Sequence, residues 1–253
     1  MRTFVVMDVA THLEALQDNG RLLLDAATSA GLDAAVPSCP QWQVRDVLQH
    51  VGQVHRWARS YVDGGRTSPP DDNDRPAEIP PDEELLEWFR DGHAALVQSL
   101  RTASDDMQCW AFLPAPSPRA FWARRQAHET AIHRTDAELA AGSAPVFDGA
   151  FAADGLDELL FGFFARPRGR LVADPALRLG LRATDTGDAW TITIGPDART
   201  TTREATEADC LVSGTASDLY LLLWNRGPRS ACSVEGDERV LDLWREKATI
   251  SWR

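Results

Sequence analysis

The sequence predicts two domains of different fold class: an all-α four-helix bundle over residues 1–147, and a smaller α+β domain over residues 148–253. Before Gly142, four long segments of good helix formers alternate with connections rich in Pro and Gly. Two of these connections are long, as in bundles whose chain crosses between distant helices. After Gly142 the pattern changes to short runs of alternating or β-branched residues, which are typical of strands.

Three of the four predicted helices are recognised by an apolar face or by their first turn. Leucines recur at helical spacing over residues 9–31, and a valine-rich face runs over residues 43–63. The third helix, over residues 81–101, has three acidic residues in its first turn, which suit the positive end of a helix dipole. The two long connections lie at residues 64–81 and 102–118, where Pro, Gly, Asp and Ser are frequent.

The fourth predicted helix, over residues 121–142, contains the residues that indicate chemistry. No Pro or Gly interrupts it before Gly142, which is a favourable stop just past the last turn. Glu129 and His133 are four residues apart, so their side chains project from the same face. A carboxylate and an imidazole one turn apart can be two ligands of a divalent metal, and His50 on the second helix is the candidate third ligand. By spacing alone, Glu129 and His133 are also consistent with a solvated ion pair.

The remaining histidines, tryptophans and arginines of the bundle have simpler interpretations. His55 is expected to pack or to line the rim of the site, and His12 and His93 to lie at the surface or to be hydrogen-bonded. The tryptophans favour packing over ligand stacking, whereas the arginines are either solvated or bound to an anionic ligand. These residues are Trp42, Trp57, Trp122, Arg124, Arg125 and Arg134.

The second domain is predicted as a mixture of short strands and short helices. Apolar alternation, with turn signals between the runs, marks the strands. A helix with leucine and phenylalanine at helical spacing precedes them, and a buried helix that opens with Ser217 as a capping candidate follows the third strand. The strands are predicted at residues 177–183, 190–194, 210–212 and 233–236, and the helices at residues 154–164, 217–224 and 239–247.

The composition narrows the class of protein. The formal net charge is −12, with no basic block, which makes nucleic acid and anionic membranes poor partners. The negative net charge does not exclude an anionic small-molecule substrate, because a few arginines can dominate the charge of a cleft. No apolar run approaches the ~20 residues of a membrane helix, and no signal peptide is recognised. The four cysteines form no CxxC pair and are expected to be small apolar residues, so we expect a cytoplasmic monomer or homodimer with reduced thiols.

Two segments of the bundle, taken together, resemble a known family. They are Cys-Pro-Gln-Trp-Gln-Val-Arg-Asp-Val-Leu-Gln-His-Val-Gly at residues 39–52 and His-Glu-Thr-Ala-Ile-His-Arg-Thr-Asp at residues 128–136. A third segment, at residues 212–226, resembles the C-terminal domain of the same family. The family is the mycothiol-dependent maleylpyruvate isomerase family, whose bundle is DinB-like and whose C-terminal α+β domain is related to sterol-carrier-like folds.

The resemblance implies a metal, a cosubstrate and the residues that bind or use them. A divalent metal, typically zinc, would be held by His50, Glu129 and His133, and mycothiol would be the thiol cosubstrate. An arginine of the C-terminal domain contributes to the site in the characterised isomerase, and Arg226 is the candidate catalytic residue here. Thr135 stands where the family often has an aromatic residue, so the shape of the pocket, and with it the substrate, is left open.

Such a ligand set predicts thiol activation. Zinc with three protein ligands keeps an open position, and a thiol that enters it is deprotonated to the nucleophilic thiolate. The thiolate could add to an activated alkene, allow rotation about the resulting single bond and leave again, which is cis–trans isomerisation. The same thiolate could instead displace a leaving group, as in a mycothiol S-transferase. A non-enzymatic metal-binding bundle, used as a sensor or carrier, is the remaining alternative.

Overall fold

A computed structural model gives the fold of the chain and describes residues 7–71, 76–166 and 169–250. The predicted connection over residues 64–81 lies partly outside the described residues, because residues 72–75 are not among them. Within the part of the chain that is described, no helix is both long enough and apolar enough to cross a membrane.

The chain divides into two units, one of residues 7–145 and the other, among the described residues, of residues 146–250. The first contains four long helices, and the second combines a mixed sheet with short helices. The predicted fold class, a helical bundle followed by a smaller α+β domain, is therefore confirmed. The predicted domain boundary between residues 147 and 148 stays a prediction about which segments fold together.

The helices of the first unit lie close to their predicted ranges. They are α1 (Val9–Ala30), α2 (Val44–Gly64), α3 (Asp82–Thr102) and α4 (Pro118–Ala140). The first three agree with the prediction to within one residue at each end. The fourth begins earlier than predicted, because the Ser117 hydroxyl accepts a hydrogen bond from the Ala120 N–H at 3.1 Å and Pro118 suits the first helical position.

The end of α4 is set by Gly142, as predicted. Its φ of +75° lies in the left-handed region, which glycine adopts without a steric cost. The Gly142 N–H donates to the Leu139 carbonyl at 3.1 Å, and the Ser143 N–H donates to the Glu138 carbonyl at 2.8 Å. This pair of hydrogen bonds is a Schellman motif, which satisfies carbonyls that the helix leaves without donors.

The core of the bundle forms where α1 packs mainly on α4 and α2 mainly on α3, with further contact between α2 and α4. Fully buried side chains, among them Leu23, Val47, Val51 and Phe89, form one apolar cluster. His50 lies between Val47 and Val51 in sequence but is only half-buried. The helical period of α2 thus places an imidazole at the edge of an apolar face, beside α4.

In the second unit, α5 (Gly149–Asp157) continues as a π-helical turn (Glu158–Phe163) and is followed by a five-stranded sheet. The strand order is β3-β2-β1-β4-β5, with β1 and β4 parallel and the other pairs antiparallel. Alternate apolar side chains of the first two strands form its buried face. The elements are β1 (Leu177–Ala183), β2 (Ala189–Ile194), β3 (Arg199–Thr202), β4 (Cys210–Gly214), α6 (Ala216–Leu223), a short 3-10 turn (Arg229–Ala231), β5 (Ser233–Gly236) and α7 (Arg239–Lys247).

Two elements of this unit differ from the prediction. Strand β3 is missing from the predicted strands because its sequence, Arg-Thr-Thr-Thr, has no apolar residue and forms an edge of the sheet. The helix predicted over residues 154–164 begins earlier, at Gly149. The cause is Asp148, whose carboxylate accepts hydrogen bonds from two N–H groups of the first turn, at 2.9 and 3.1 Å.

The cap of α6 is also different, because Ser217 is not the capping residue. The Thr215 hydroxyl accepts a hydrogen bond from the Asp218 N–H at 3.1 Å and so caps the helix. The Ser217 hydroxyl instead accepts a hydrogen bond from the Phe147 N–H at 3.0 Å. Two hydroxyl residues two positions apart cannot be ranked as caps from the sequence alone, since either fits the local pattern.

All four cysteines are free thiols. Cys109 and Cys210 are buried, as expected for small apolar residues, whereas Cys39 and Cys232 are partly exposed. Burial raises the pKa of the Cys109 and Cys210 thiols, and it raises the pKa of Cys232 to about 11. These three thiols therefore stay protonated and weakly reactive at neutral pH.

Candidate metal centre

The three predicted ligands converge in the first unit. One ligand atom from each of His50, Glu129 and His133 lies within 4.8 Å of the others. Nε2 of His50 is 3.1 Å from Oε1 of Glu129, and Nε2 of His133 is 3.5 Å from the same oxygen. Two imidazole nitrogens and one carboxylate oxygen therefore face a common point where α2 meets α4.

The centre is open on one side. The side chains of Glu129 and His133 are each 10% exposed, whereas that of His50 is 27% exposed. The two histidine rings are edge-to-face, with centroids 4.8 Å apart and an angle of 67° between their planes. A small molecule would therefore reach the candidate centre from the side of His50, because Glu129 and His133 on α4 lie deeper in the bundle.

Arg125 holds the second oxygen of Glu129. Its Nη2–H donates to Oε2 of Glu129 at 2.9 Å, and the side chain of Arg125 is only 2% exposed. Of the three arginines that the sequence could not rank, Arg125 contacts Glu129, while Arg134 pairs with Glu138 on the same helix at 2.8 Å. The four-residue spacing from Arg125 to Glu129 is the sequence signal that places both on one face.

Asp136 holds the other ring nitrogen of His133, a contact that the sequence prediction missed. Nδ1 of His133 is 2.8 Å from Oδ2 of Asp136, and Asp136 is fully buried. The Ser38 hydroxyl, from the connection between α1 and α2, donates to Oδ1 of Asp136 at 2.5 Å. The three-residue spacing from His133 to Asp136 is a signal for this contact, but it does not show that the carboxylate is buried.

Trp42 covers the rings of both histidines of the candidate centre. Its indole is stacked on His133, with centroids 5.8 Å apart and 15° between the planes, and it is tilted on His50 at 5.3 Å. Trp42 also packs against the apolar cluster of the bundle, which agrees with its predicted packing role. The indole therefore limits rotation of both imidazoles and shields them from water on one side.

The charges around the centre shift its pKa values strongly. Burial alone would raise the pKa of Glu129, but hydrogen bonds to His133 and His50 and the charge of Arg125 hold it well below its ordinary value. Burial alone would lower the pKa of His133, yet its hydrogen bonds to Asp136 and Glu129, and their charges, raise it to about 9. Glu129 is therefore ionised at neutral pH, as a ligand must be, whereas His133 holds a proton that a metal would displace.

The chemistry of these side chains fits a divalent metal. Two imidazoles and a carboxylate are a donor set that zinc accepts in catalytic sites, where a fourth position stays open. A ligating histidine usually donates its other N–H to a carboxylate, and Asp136 stands in that relation to His133. The ion-pair alternative for Glu129 and His133 describes only part of this arrangement, since His50 and Asp136 converge on the same two side chains.

His55 and His93 lie in the same bundle but form a separate pair. His55 is fully buried, and its Nε2 is 2.9 Å from the Thr130 hydroxyl. His93 is buried and hydrogen-bonded to the Leu16 carbonyl at 3.0 Å, as one of its two predicted alternatives required. Burial lowers the pKa of both, and for His55 the neighbouring His93 lowers it further. This pair is therefore neutral at neutral pH.

His12 does not lie at the surface, which was one of its predicted locations. It is buried where α1 packs on α4, and its ring centroid is 6.1 Å from that of His128, which is fully buried. Thr135 is also fully buried, and its hydroxyl donates to the Ala131 carbonyl of its own helix at 3.2 Å. The small side chain at position 135 is therefore part of the packing of α4.

Arg226 lies in the second unit, just after α6. It is half-buried, and its Nη1–H donates to the Trp224 carbonyl at 2.8 Å. The residue before it, Asn225, has a φ of +59°, a left-handed conformation that asparagine tolerates better than most residues. The helix end thus fixes the backbone from which Arg226 projects, and the part that Arg226 plays in a reaction stays a prediction.

Comparison with known proteins places this chain in a family. The profile described as "Mycothiol maleylpyruvate isomerase N-terminal domain" matches residues 13–138, and the profile described as "MDMPI C-terminal domain" matches residues 150–243. The crystal structure of the mycothiol-dependent maleylpyruvate isomerase has the same fold, with a TM-score of 0.62 and 13% identity over 93% of this chain and 96% of that one. A histidine-to-alanine mutant of that enzyme gives the same values. A comparison with curated protein sequences gives no match. On the strength of the two profile matches, this chain belongs to the mycothiol-dependent maleylpyruvate isomerase family.

Proposed function

We propose that this chain is a metal-dependent enzyme that uses mycothiol to isomerise an electrophilic, anionic alkene from cis to trans. The observation that supports this most is the convergence of His50, Glu129 and His133 in a chain of this family. The match to the family supports mycothiol as the cosubstrate and isomerisation as the reaction, and the two imidazoles with the carboxylate support the metal. Zinc is the metal we propose, since two imidazoles and a carboxylate with an open position suit it.

The three ligands would hold the ion, and their neighbours keep them in place. When bound, the ion supplies positive charge that lowers the pKa of a thiol beside it, so that the thiolate is the main form at neutral pH. Arg125 keeps Oε2 of Glu129 occupied, which leaves Oε1 for the ion. Trp42 covers one side of the two imidazoles, while the exposed edge of His50 leaves an approach for mycothiol and substrate.

The reaction then needs no net gain or loss of atoms. The thiolate forms a C–S bond to the alkene carbon conjugated to a carbonyl, and the π electrons of the alkene move onto that carbonyl. Rotation about the new single bond follows. The electrons return, the C–S bond breaks, and the thiolate leaves a trans alkene behind. Soft thiolates favour such conjugated carbons over water as the nucleophile, so we propose thiol addition in place of hydrolysis.

Arg226 is proposed to bind an anionic group of the substrate or of the thiol. A guanidinium pairs with a carboxylate through two parallel hydrogen bonds, which both orient and bind it. The Arg226→Ala variant should keep its metal and lose roughly ten-fold to a hundred-fold in turnover, as for the loss of one charged contact of about 1.5–3 kcal/mol. Arg178→Ala, which removes an exposed arginine of the same unit, is the matched control and should change neither.

The test is turnover of a panel of cis enones with and without mycothiol, followed by product NMR and mass spectrometry on the zinc-loaded protein. Trans product with recovered mycothiol supports the isomerase. A stable thioether adduct instead identifies an S-transferase, and bound metal without any chemistry identifies a binding protein. Equal turnover without thiol contradicts the role of mycothiol.

A further inference from the structure

The two ring nitrogens of His133 face two different carboxylates. Nδ1 is 2.8 Å from Oδ2 of Asp136, and Nε2 is 3.5 Å from Oε1 of Glu129. A neutral imidazole has one N–H and one lone pair, so the group that accepts the N–H decides which nitrogen can bind a metal. Asp136 accepts at Nδ1, which leaves the lone pair at Nε2, the nitrogen that faces His50 and Glu129.

We propose that Asp136 is a positioning residue of the metal centre, which holds His133 as its Nδ1–H tautomer, and that Ser38 fixes Asp136 from the opposite side. The proposal rests on the proposed function only in taking His50, Glu129 and His133 as the metal ligands. It does not depend on the reaction, the thiol or the substrate.

The burial of Asp136 supports a specific role. A carboxylate that is removed from water is costly unless hydrogen bonds replace the lost solvation, and an apolar residue would fill the same space without that cost. Both oxygens of Asp136 have a partner, since His133 contacts Oδ2 and the Ser38 hydroxyl donates to Oδ1. The carboxylate is thus held between a ligand of the centre and a hydroxyl from another segment.

The segment that provides Ser38 is itself fixed. A bridge between Ala35 and Gln43 closes the connection from α1 to α2, and the Val36 N–H donates to the Trp42 carbonyl at 3.0 Å. The same connection places the indole of Trp42 flat on the ring of His133. Asp136 therefore fixes the imidazole at its edge and Trp42 fixes it at its face, so that Nε2 keeps one direction.

The experiment compares Asp136→Asn, Ser38→Ala and Glu138→Gln, each as full-length protein. The dissociation constant for zinc is measured by chelator competition, and the ligand field is measured from the Co²⁺ absorption spectrum. Asp136→Asn should weaken zinc binding about ten-fold to a hundred-fold and change the Co²⁺ spectrum, as for other partners of ligating histidines. Ser38→Ala should have a smaller effect of the same kind. Glu138→Gln removes a carboxylate from the same helix that pairs with Arg134, and it should match the wild type.

A second measurement keeps the proposal testable if zinc does not bind. In metal-free wild-type protein above the pKa of His133, about 9, nitrogen NMR of the imidazole should show the proton on Nδ1. Asp136→Asn should shift this population toward Nε2–H, with an unchanged circular dichroism spectrum. Unchanged zinc affinity and an unchanged tautomer in Asp136→Asn would overturn the role of Asp136. Failure of the wild type to bind any metal would overturn the proposed function but not the tautomer result. If Asp136→Asn does not fold, Ser38→Ala decides: an Nδ1–H population and a zinc affinity equal to the wild type overturn the proposal.

Discussion

The bundle contains two groups of buried histidines with opposite properties. His133 lies between the carboxylates of Glu129 and Asp136, and its pKa is raised to about 9. His55 lies beside Phe89 and His93, and burial lowers its pKa well below the ordinary value. Both side chains are buried in the same four-helix core. Charged partners, and not burial as such, decide whether a buried histidine is basic.

The two groups also differ in the hydrogen-bond partners of their ring nitrogens. Both ring nitrogens of His133 face carboxylates, whereas Nδ1 of His55 has no hydrogen-bond partner among the described residues. The Thr130 hydroxyl donates to the Gln126 carbonyl, so it accepts the Nε2–H of His55, and the lone pair of the neutral ring lies on Nδ1. The neutral pair of His55 and His93 is therefore suited to packing, whereas the carboxylates that face His133 make its surroundings suited to binding a cation.

The largest expected difference between the two groups is in metal content. His133→Ala should reduce bound zinc from about one ion per chain to almost none, since two ligands rarely retain it. His93→Ala should keep the ion, but it should lower the free energy of unfolding by about 2–4 kcal/mol through a cavity and a lost hydrogen bond. Elemental analysis and urea denaturation measure the two effects. Equal metal loss in both variants would contradict the separation of the two groups.

The pH dependence of metal binding gives the next largest effect. His133 must lose its Nε2 proton before that nitrogen can bind a metal. Because its pKa is raised to about 9, we expect zinc affinity to rise about ten-fold per pH unit from about pH 7 to about pH 9 and then to level off. Titration calorimetry in buffers of different ionisation enthalpy measures the proton released. An affinity independent of pH in this range would show that His133 is not protonated in the free protein.

The smallest effect is on the stability of the metal-free protein. The raised pKa of His133 adds stability that is complete below about pH 6.5 and is lost as the pH rises through about 9. The lowered pKa values of His55 and His93 add stability that is present above about pH 6.5 and is lost as the pH falls below it.

The free energy of unfolding should therefore fall on both sides of neutrality, by about 1 kcal/mol per pH unit. Urea denaturation at a series of pH values measures this profile. His55→Phe should flatten the acid side alone, because it removes a group with a lowered pKa, and His133→Gln should flatten the alkaline side. A profile in which His55→Phe also flattens the alkaline side would show that the two groups titrate together.

The sequence predicts most of the fold because helix periodicity and strand alternation are local signals. It also predicts the convergence of His50, Glu129 and His133, through their spacing and the family resemblance. It does not predict the partners Arg125 and Asp136, because the buried face of α4 is polar. An amphipathic pattern normally tells which face is buried, and here polar side chains are buried along most of the helix, so only tertiary packing reveals them.

Two of the three proposed ligands lie on α4, whereas His50 lies on α2. The separation between Glu129 and His133 is fixed by the pitch of a single helix, while the position of His50 depends on how two helices pack. A shift of α2 along α4 would therefore move one ligand and leave the other two in register. A substitution that changes the size of an apolar side chain on α2, such as Val51, would therefore move His50 relative to Glu129 and His133. The centre would then prefer an ion of a different radius, although all three proposed ligands are retained.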